Sequence, residues 1–344
     1  MIKEYLYSSE NIVHAIYEAN DAIHEKNLLS SEDRQKLISF KDIFNEKLIS
    51  EEVIIIKERL DDILNNNNFF ESEVYFAPKG LDENKQRKYR PIHTASLTDQ
   101  LCMIAMLNTI TNDFSIYKEE NNIIRKVRKF TPSYFYGNIL SERPERVYEK
   151  WQDSYSAYLN QSIEMQNKFR SSLEYVDEIT LDLQDFFPSI NPEFILNYYM
   201  KHVSVNLNQY DKTFLKTILE KLLYIKCKIN MQNNLQESLK HDYFKDYCGG
   251  NLREERECVY VRGIPQGLVQ GGFFANLAMV EIANVYKKVF KGEQIFYVDD
   301  SIIYSNELKG LSEKEKKEKF EKLIEDCQIQ INHYIEKELA NTYE

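Results

Sequence analysis

QIFYVDDSIIY, residues 294–304, carries two short runs of strand formers, Ile295–Val298 and Ile302–Tyr304, on either side of the pair Asp299-Asp300. β-Branched and aromatic residues flanking an acidic pair predict a tight hairpin with both carboxylates at its tip. Asp is also a common turn residue, so taken alone the pair reads equally well as a plain turn. A second segment shifts the balance. Ile179–Leu183 (ITLDL) reads as a β-branched strand with Asp182 inside it, leading into Asp185-Phe186-Phe187-Pro188. A carboxylate within an apolar strand is unfavourable unless something pairs it; the bland alternative is a buried hydrogen-bond acceptor. Two strands that deliver Asp to one point make a site for hard divalent cations. Two such ions, about 4 Å apart, can clamp the attacking and leaving oxygens of a phosphoryl transfer.

Around these strands the pattern is mostly helical. Ile12, Val13, Ile16 and Ala19 recur at helical spacing, and Ser30-Ser31-Glu32-Asp33 reads as a helix start. The polar run Asn65–Asn68 closes this amphipathic region. Glu73–Ala77 is strand-like, Lys79–Arg90 a charged hairpin, and Leu97–Ile110 helical again. A basic cluster, Arg125–Lys129, precedes Tyr134-Phe135-Tyr136, and Val147–Lys168 predicts a helix carrying the single tryptophan, Trp151. Between the acidic strands, Glu193–Met200 and Asp211–Tyr224 are helical and Asn230–Arg256 is polar and loop-rich. Gly263–Gly272 is the segment richest in Gly and opens the apolar helix Phe273–Val289. From Leu308 onward the chain reads as a charged helix with little sign of a further core.

Composition bounds the answer. A chain of 344 residues predicts two or three subdomains sharing a core, and 43% apolar residues suffice to bury one. Ten Gly and seven Pro against 24 Tyr and 19 Phe disfavour Gly-rich turn architectures and favour a helix-dominated α+β class. With Lys+Arg 44 and Asp+Glu 55 the net charge is −11, which excludes an overall basic coat for nucleic acid but not a local basic channel. Five cysteines without CxxC spacing read as reduced thiols rather than a zinc site. The polar N-terminus is no signal peptide and no 18-residue apolar run occurs, so the expectation is a soluble, cytoplasmic protein with no membrane partner.

Taken together and in order, LDLQDFFPSI, GIPQG and YVDD resemble the palm motifs of reverse transcriptases. The resemblance implies a right-hand polymerase fold. It implies fingers over 71–175 and an antiparallel-sheet palm over 176–306; the helical N-terminal region over 1–70, read from its periodicity, is not explained by the motifs, and a charged tail over 307–344 follows. A thumb is not evident, and the tail reads as its start or as the start of a C-terminal domain. In the family the first Asp of the LDL-type motif and both of YxDD hold the catalytic metals, here Asp182, Asp299 and Asp300, with Asp300 the weaker ligand. Two Mg²⁺ ions are implied, with Mn²⁺ as a substitute. Asp185 and Phe186 fall in the turn whose backbone N–H groups face the incoming triphosphate. Phe187 takes the place of the bulky gate against a ribose 2′-hydroxyl, which implies dNTP substrates. Gln266, in Gly263–Gly267, braces the nascent base pair. The following VQGGFFAN departs from the commoner continuation with Ser or Pro, and Gly271 and Gly272 leave a bare loop.

Upstream, the segments at 77–79 and 89–92 resemble the fingers hairpin, which aligns Lys79 and Arg90 with the triphosphate-binding cations. Lys85, Arg87 and Lys88 read either as adding to that cationic field or as the hairpin's solvated tip, the tip being the preferred reading, and Asp99 reads as structural. Arg125–Lys129 with Tyr134–Tyr136 read equally as a nucleic-acid track or as a helix face over core aromatics. The stretch FYGN…VYEKWQDSYSAYL is most similar to abortive-infection and defence-associated bacterial members. That implies antiviral defence, with synthesis templated by a partner RNA or template-independent, a DNA product, and a homo-oligomer or partner protein. The rival readings are a retron- or intron-type RNA-directed DNA polymerase, an RNA-dependent RNA polymerase, disfavoured by YVDD and Phe187, and a catalytically silent palm that scaffolds a defence complex.

Overall fold

The computed structural model describes residues 1–23, 26–41, 45–66, 68–81, 85–112, 114, 130–143, 145–171, 177–203, 207–228, 239, 243 and 258–340. Arg125–Lys129 and nearly all of the polar stretch 230–256 lie outside these residues.

The N-terminal region folds as predicted, into helices α1 (Ile2–Leu6), α2 (Ser9–Ala22), α3 (Ser31–Ser39) and α4 (Glu46–Asn65). Ser8 and Ser30 cap α2 and α3 by accepting from the backbone N–H groups of Asn11 and Asp33. Their apolar faces pack round α5 (Leu97–Thr111), in which Leu97 and every residue from Asp99 to Thr111 are buried. A helix that is buried all round is a core helix, and its polar residues are tied down accordingly. The Asn11 amide donates to the Ala105 carbonyl at 3.1 Å, and Asp99 accepts from Arg59 at 2.8 Å, the structural role read for it.

Two small sheets carry the rest. The first has the order β2-β1-β4-β5, from β1 (Glu71–Leu81), β2 (Arg87–Thr94), β4 (Lys226–Lys228) and β5 (Cys258–Tyr260). β1 and β2 form an antiparallel hairpin whose register slips between Pro78 and Gly80, leaving Lys79 as a bulge; β1 and β4 are parallel. The second sheet has the order β3-β7-β6, from β3 (Asp177–Leu181), β6 (Glu293–Tyr297) and β7 (Asp300–Ser305), all antiparallel. Residues 134–136 run alongside its edge: Phe296 N–H donates to the Tyr134 carbonyl and Tyr136 N–H to the Phe296 carbonyl, both at 2.9 Å.

Helices α6 (Trp151–Ser171), α8 (Pro192–Val203), α9 (Gln209–Leu223) and α10 (Val269–Phe290), with the one-turn α7 (Phe186–Ser189), surround the sheets. Here the structure corrects several sequence expectations. α6 starts at Trp151 rather than Val147. α10 starts at Val269, so Gly271 and Gly272 sit in its first turn and form no bare loop. The tail does more than expected. Its helix α11 (Glu313–Ala340) packs on α10 and α8, burying Leu323, Cys327 and Glu338, with Lys201 of α8 ion-paired to Glu338. Its 3.6-residue apolar repeat is thin because one narrow stripe faces the core. Cys102, Cys227 and Cys327 are buried thiols outside any disulfide.

Candidate active site

The register of β6 and β7 pairs Tyr297 with Asp300, so the hairpin turn consists of Val298 and Asp299 alone. Val298 has φ +58°. A β-branched residue in the left-handed region is a genuine outlier, costing on the order of 1–3 kcal/mol, and persists only where its surroundings hold it. Those surroundings are visible. Gly137 lies against the turn so closely that a Cβ there would stand 2.6 Å from Val298 Cγ2 and 2.8 Å from its backbone nitrogen. Asn276 of α10, itself buried, donates from its amide to the Gly137 carbonyl at 2.8 Å and the Asn138 carbonyl at 3.0 Å. On the other side the Tyr297 ring meets Tyr155 of α6 edge-on, 5.2 Å between centroids. The acidic tip is therefore held from below and from one flank.

Asp182 arrives from β3. It is exposed and follows the strand's last residue, Leu181, which pairs with Ser301. The expectation of a carboxylate buried inside a strand is thus corrected by one residue: the chain leaves the sheet as it enters the turn to Asp185. Asp185 has φ +48° and opens α7, its carbonyl accepting from Ser189 N–H at 3.0 Å. Asp tolerates this left-handed conformation better than most side chains.

The GIPQG loop is wedged between α7 and β2. Ile264 N–H donates to the Phe187 carbonyl at 2.9 Å, and His93 N–H to the Gln266 carbonyl at 2.7 Å. Gly263, at φ +73°, admits no side chain, since a Cβ would meet the Phe187 and Pro188 carbonyls. Phe187 is partly buried, its ring next to Gly271. The Lys79 bulge sits in the opposite wall. Bulges re-aim a side chain, and this one places Lys79 where its charge acts on Asp299 and Asp300.

These parts enclose a cleft of about 690 Å³ whose lining includes Lys79, Arg90, Asp185, Phe186, Phe187, Gln266, Asp299 and Asp300. Asp182 does not line it, although its negative charge reaches both acids of the turn. Burial raises the pKa of Asp299, and the charges of Asp300 and Asp182 raise it further, against Lys79. Asp300 is raised for the same reasons, burial first and then Asp182. Among the described residues no three His, Cys, Asp or Glu side chains are arranged to hold a metal ion. The donor set nevertheless fits a hard cation in kind: three carboxylates, of which Asp299 and Asp300 are destabilised as anions by burial and by neighbouring negative charge. Asp182 and Asp300 are exposed.

The cleft takes in further residues. Arg87, read as a solvated tip, faces the cleft, while Lys85 and Lys88 do not line it; Arg262 lies immediately before GIPQG and joins the lining. His93 is buried, with Tyr243 Oη 2.7 Å from Nε2 and Ser72 Oγ 3.1 Å from Nδ1, and burial lowers its pKa to about 3. No periodicity flags a buried His in a strand. Of Tyr134–Tyr136, Phe135 is buried and stacked on Phe296 at 5.1 Å, while Tyr134 and Tyr136 are partly buried and pack against the core.

Among the described residues no helix is long and apolar enough to cross a membrane. No curated protein matches the chain. Residues 83–334 match the family described as Reverse transcriptase (RNA-dependent DNA polymerase), a span that takes in β2, the GIPQG loop, the β6–β7 hairpin and most of α11 but begins after β1 and Lys79. That family implies a right-hand polymerase fold and the binding of nucleic acid and dNTPs. On this match, over well more than half of its length, the chain belongs to the reverse transcriptase family and is an RNA-directed DNA polymerase, a nucleotidyltransferase.

Proposed function

We propose that the cleft adds deoxynucleotides by a two-metal mechanism, in bacterial antiviral defence of the abortive-infection kind, templated by a partner RNA or without a template. One observation carries the mechanistic part: the acidic pair of the β6–β7 hairpin, the left-handed turn at Asp185, a bulky aromatic and two fingers cations face one cleft, with Asp182 and Lys79 both close enough to Asp299 and Asp300 to act on their titration. On this reading Asp182, Asp299 and Asp300 hold the metal ions. When bound, two divalent ions, Mg²⁺ or Mn²⁺ in its place, supply activation of the primer hydroxyl and neutralisation of the triphosphate. Lys79 and Arg90 grip the outer phosphates, and the backbone of Asp185 and Phe186 lines the triphosphate path. Phe187 leaves no room for a 2′-hydroxyl, and Gln266 braces the base. Residues 1–70 form the helical support, 71–175 the fingers and 176–306 the palm, whose strands β4 and β5 extend the fingers sheet.

The defence role rests on the likeness of FYGN…VYEKWQDSYSAYL to defence-associated enzymes. The second reading, a silent palm serving as a scaffold, is favoured by the open arrangement of the three carboxylates. Incorporation of each labelled dNTP and NTP separates the two, with Mg²⁺ and with or without co-purified nucleic acid, in wild type and Asp299→Ala. Deoxynucleotide incorporation that the variant loses supports the polymerase; nuclease and protease sensitivity then identify template and primer. Incorporation retained in Asp299→Ala sinks the site assignment, and none in wild type supports the scaffold.

A further inference from the structure

A second cavity, of about 560 Å³, shares Tyr148 as a wall with the catalytic cleft. Its chemistry is set by Arg146. This side chain is only 9% exposed, and its Nε is buried with no hydrogen-bond partner. An unpaired buried cation is strongly unfavourable in a folded protein. Carboxylates are not lacking nearby, because Asp21, Glu149 and Asp153 line the same cavity, yet among the described residues none forms an ion pair with Arg146. Glu149 is engaged by Ser141, whose hydroxyl donates to it at 2.8 Å. Asp21 and Asp153 are exposed and face solvent.

An independent feature points the same way. Trp151, Gln152 and Asp153 are the first three residues of the 21-residue helix α6, and all three line the cavity. The leading N–H groups of a helix have no partner within it and, with the helix dipole, favour an anion. Lys26 and Lys150 add charge at the rim, Lys26 already donating to Asn20 at 3.4 Å. Trp151 itself is 58% exposed. One helical turn further, Tyr155 is 42% exposed and touches Tyr297 of the catalytic hairpin.

We propose that this cavity holds a backbone phosphate of a single-stranded nucleic acid, with a base stacked on Trp151 and the strand running past Tyr155 toward the catalytic hairpin. An aromatic beside a phosphate-binding cation is the general arrangement for holding single strands irrespective of sequence. The site stands whether or not the catalytic assignment does, since it is read by binding without turnover.

Fluorescence anisotropy of labelled oligo-dT and oligo-U over a salt series tests it, with inorganic phosphate and dATP as competitors, on the full chain as wild type, Arg146→Met and Trp151→Ala. Arg146→Met is expected to bind both strands about tenfold more weakly, with a log–log salt slope shallower by about one. Its Tm is expected to be no lower than that of wild type, because the lost charge was unpaired. Trp151→Ala is expected to lose roughly tenfold, with its salt slope unchanged. Strand affinity unchanged in Arg146→Met overturns the proposal. So does a variant that fails to fold or melts earlier, which would make Arg146 a structural residue. If Arg146→Met loses dATP or inorganic phosphate but keeps the strands, the ligand is a free phosphate and the strand assignment falls.

Discussion

Two hairpins face each other across the cleft and are built on opposite plans. The β6–β7 hairpin is acidic, with a two-residue turn held in a strained conformation by Gly137 beneath it and by Tyr155 on its flank. The β1–β2 hairpin is basic, bulged at Lys79, and exposed from Pro78 through Leu81 and from Lys85 to Arg90. The difference follows from what each charge must do. Carboxylates that repel one another stay together only if the backbone leaves them no retreat, so strain is concentrated at that tip, with Asp299 half-buried. Cations that grip a phosphate need reach, and solvent keeps a long Lys or Arg side chain charged until the ligand arrives.

The largest effect expected from this contrast lies at Asp299. Asp299→Ala should lower incorporation by at least about 10³-fold and yet raise Tm at pH 7. The sign follows from the raised pKa: the stability linked to Asp299 is fully present below the ordinary Asp value and is lost as pH rises through the higher folded one. Deleting the carboxyl removes that loss. Incorporation assays beside thermal melts check both, and a variant that loses activity together with stability would show that the tip is not strained by its charge.

Next is the support under the turn. Gly137→Ala drives a methyl into Val298 and should cost about 10²-fold in turnover while the secondary structure by circular dichroism is kept. Val298→Gly added to it relieves both the crowding and the left-handed strain, and should recover at least about tenfold. No recovery in the double variant would mean that Gly137 acts elsewhere than through the turn. On the basic side the effects are smaller. Lys79→Ala should raise the KM for dNTPs about tenfold with Tm unchanged, since an exposed bulge residue contributes little to stability. A lowered Tm would show the two hairpins to be coupled more tightly than their exposure suggests.

The acidic hairpin was legible because its pattern is local: period-two apolar runs around Asp299 and Asp300 leave few alternatives. The helices were legible for the same reason, from spacing and from caps such as Ser30. What escaped depends on contacts across the chain. Asp182 was placed inside a strand because nothing in ITLDL marks where the sheet ends; pairing with β7 decides that. Gly271 and Gly272 read as loop because glycine is a poor helix former, whereas in the fold the close approach of Pro265 and Asn138 to α10 leaves no room for a side chain. α11 read as a charged helix because only Leu323, Cys327 and Glu338 are buried along its length, in a field of Lys and Glu. The bulge that aims Lys79 is a mismatch between two strands, and a single strand cannot display it.

The same two regions should respond to acid with opposite signs, which gives the smallest but most discriminating test. His93, on β2 and hydrogen-bonded through its backbone to the GIPQG loop, is held neutral by burial with a pKa of about 3. A histidine lowered in this way contributes stability that is present above its unfolded value, near 6.5, and is lost as pH falls from there toward 3. Asp299 behaves in reverse, because protonation relieves it. Hydrogen exchange between pH 7 and 5, corrected for intrinsic rates, should therefore show protection falling at the His93 amide while that of Phe296, beside the acidic turn, holds or rises. In His93→Gln the first trend should flatten and the second remain. Parallel loss at both amides in wild type would mean that one global unfolding event governs the cleft, and that the two hairpins are not separately tuned.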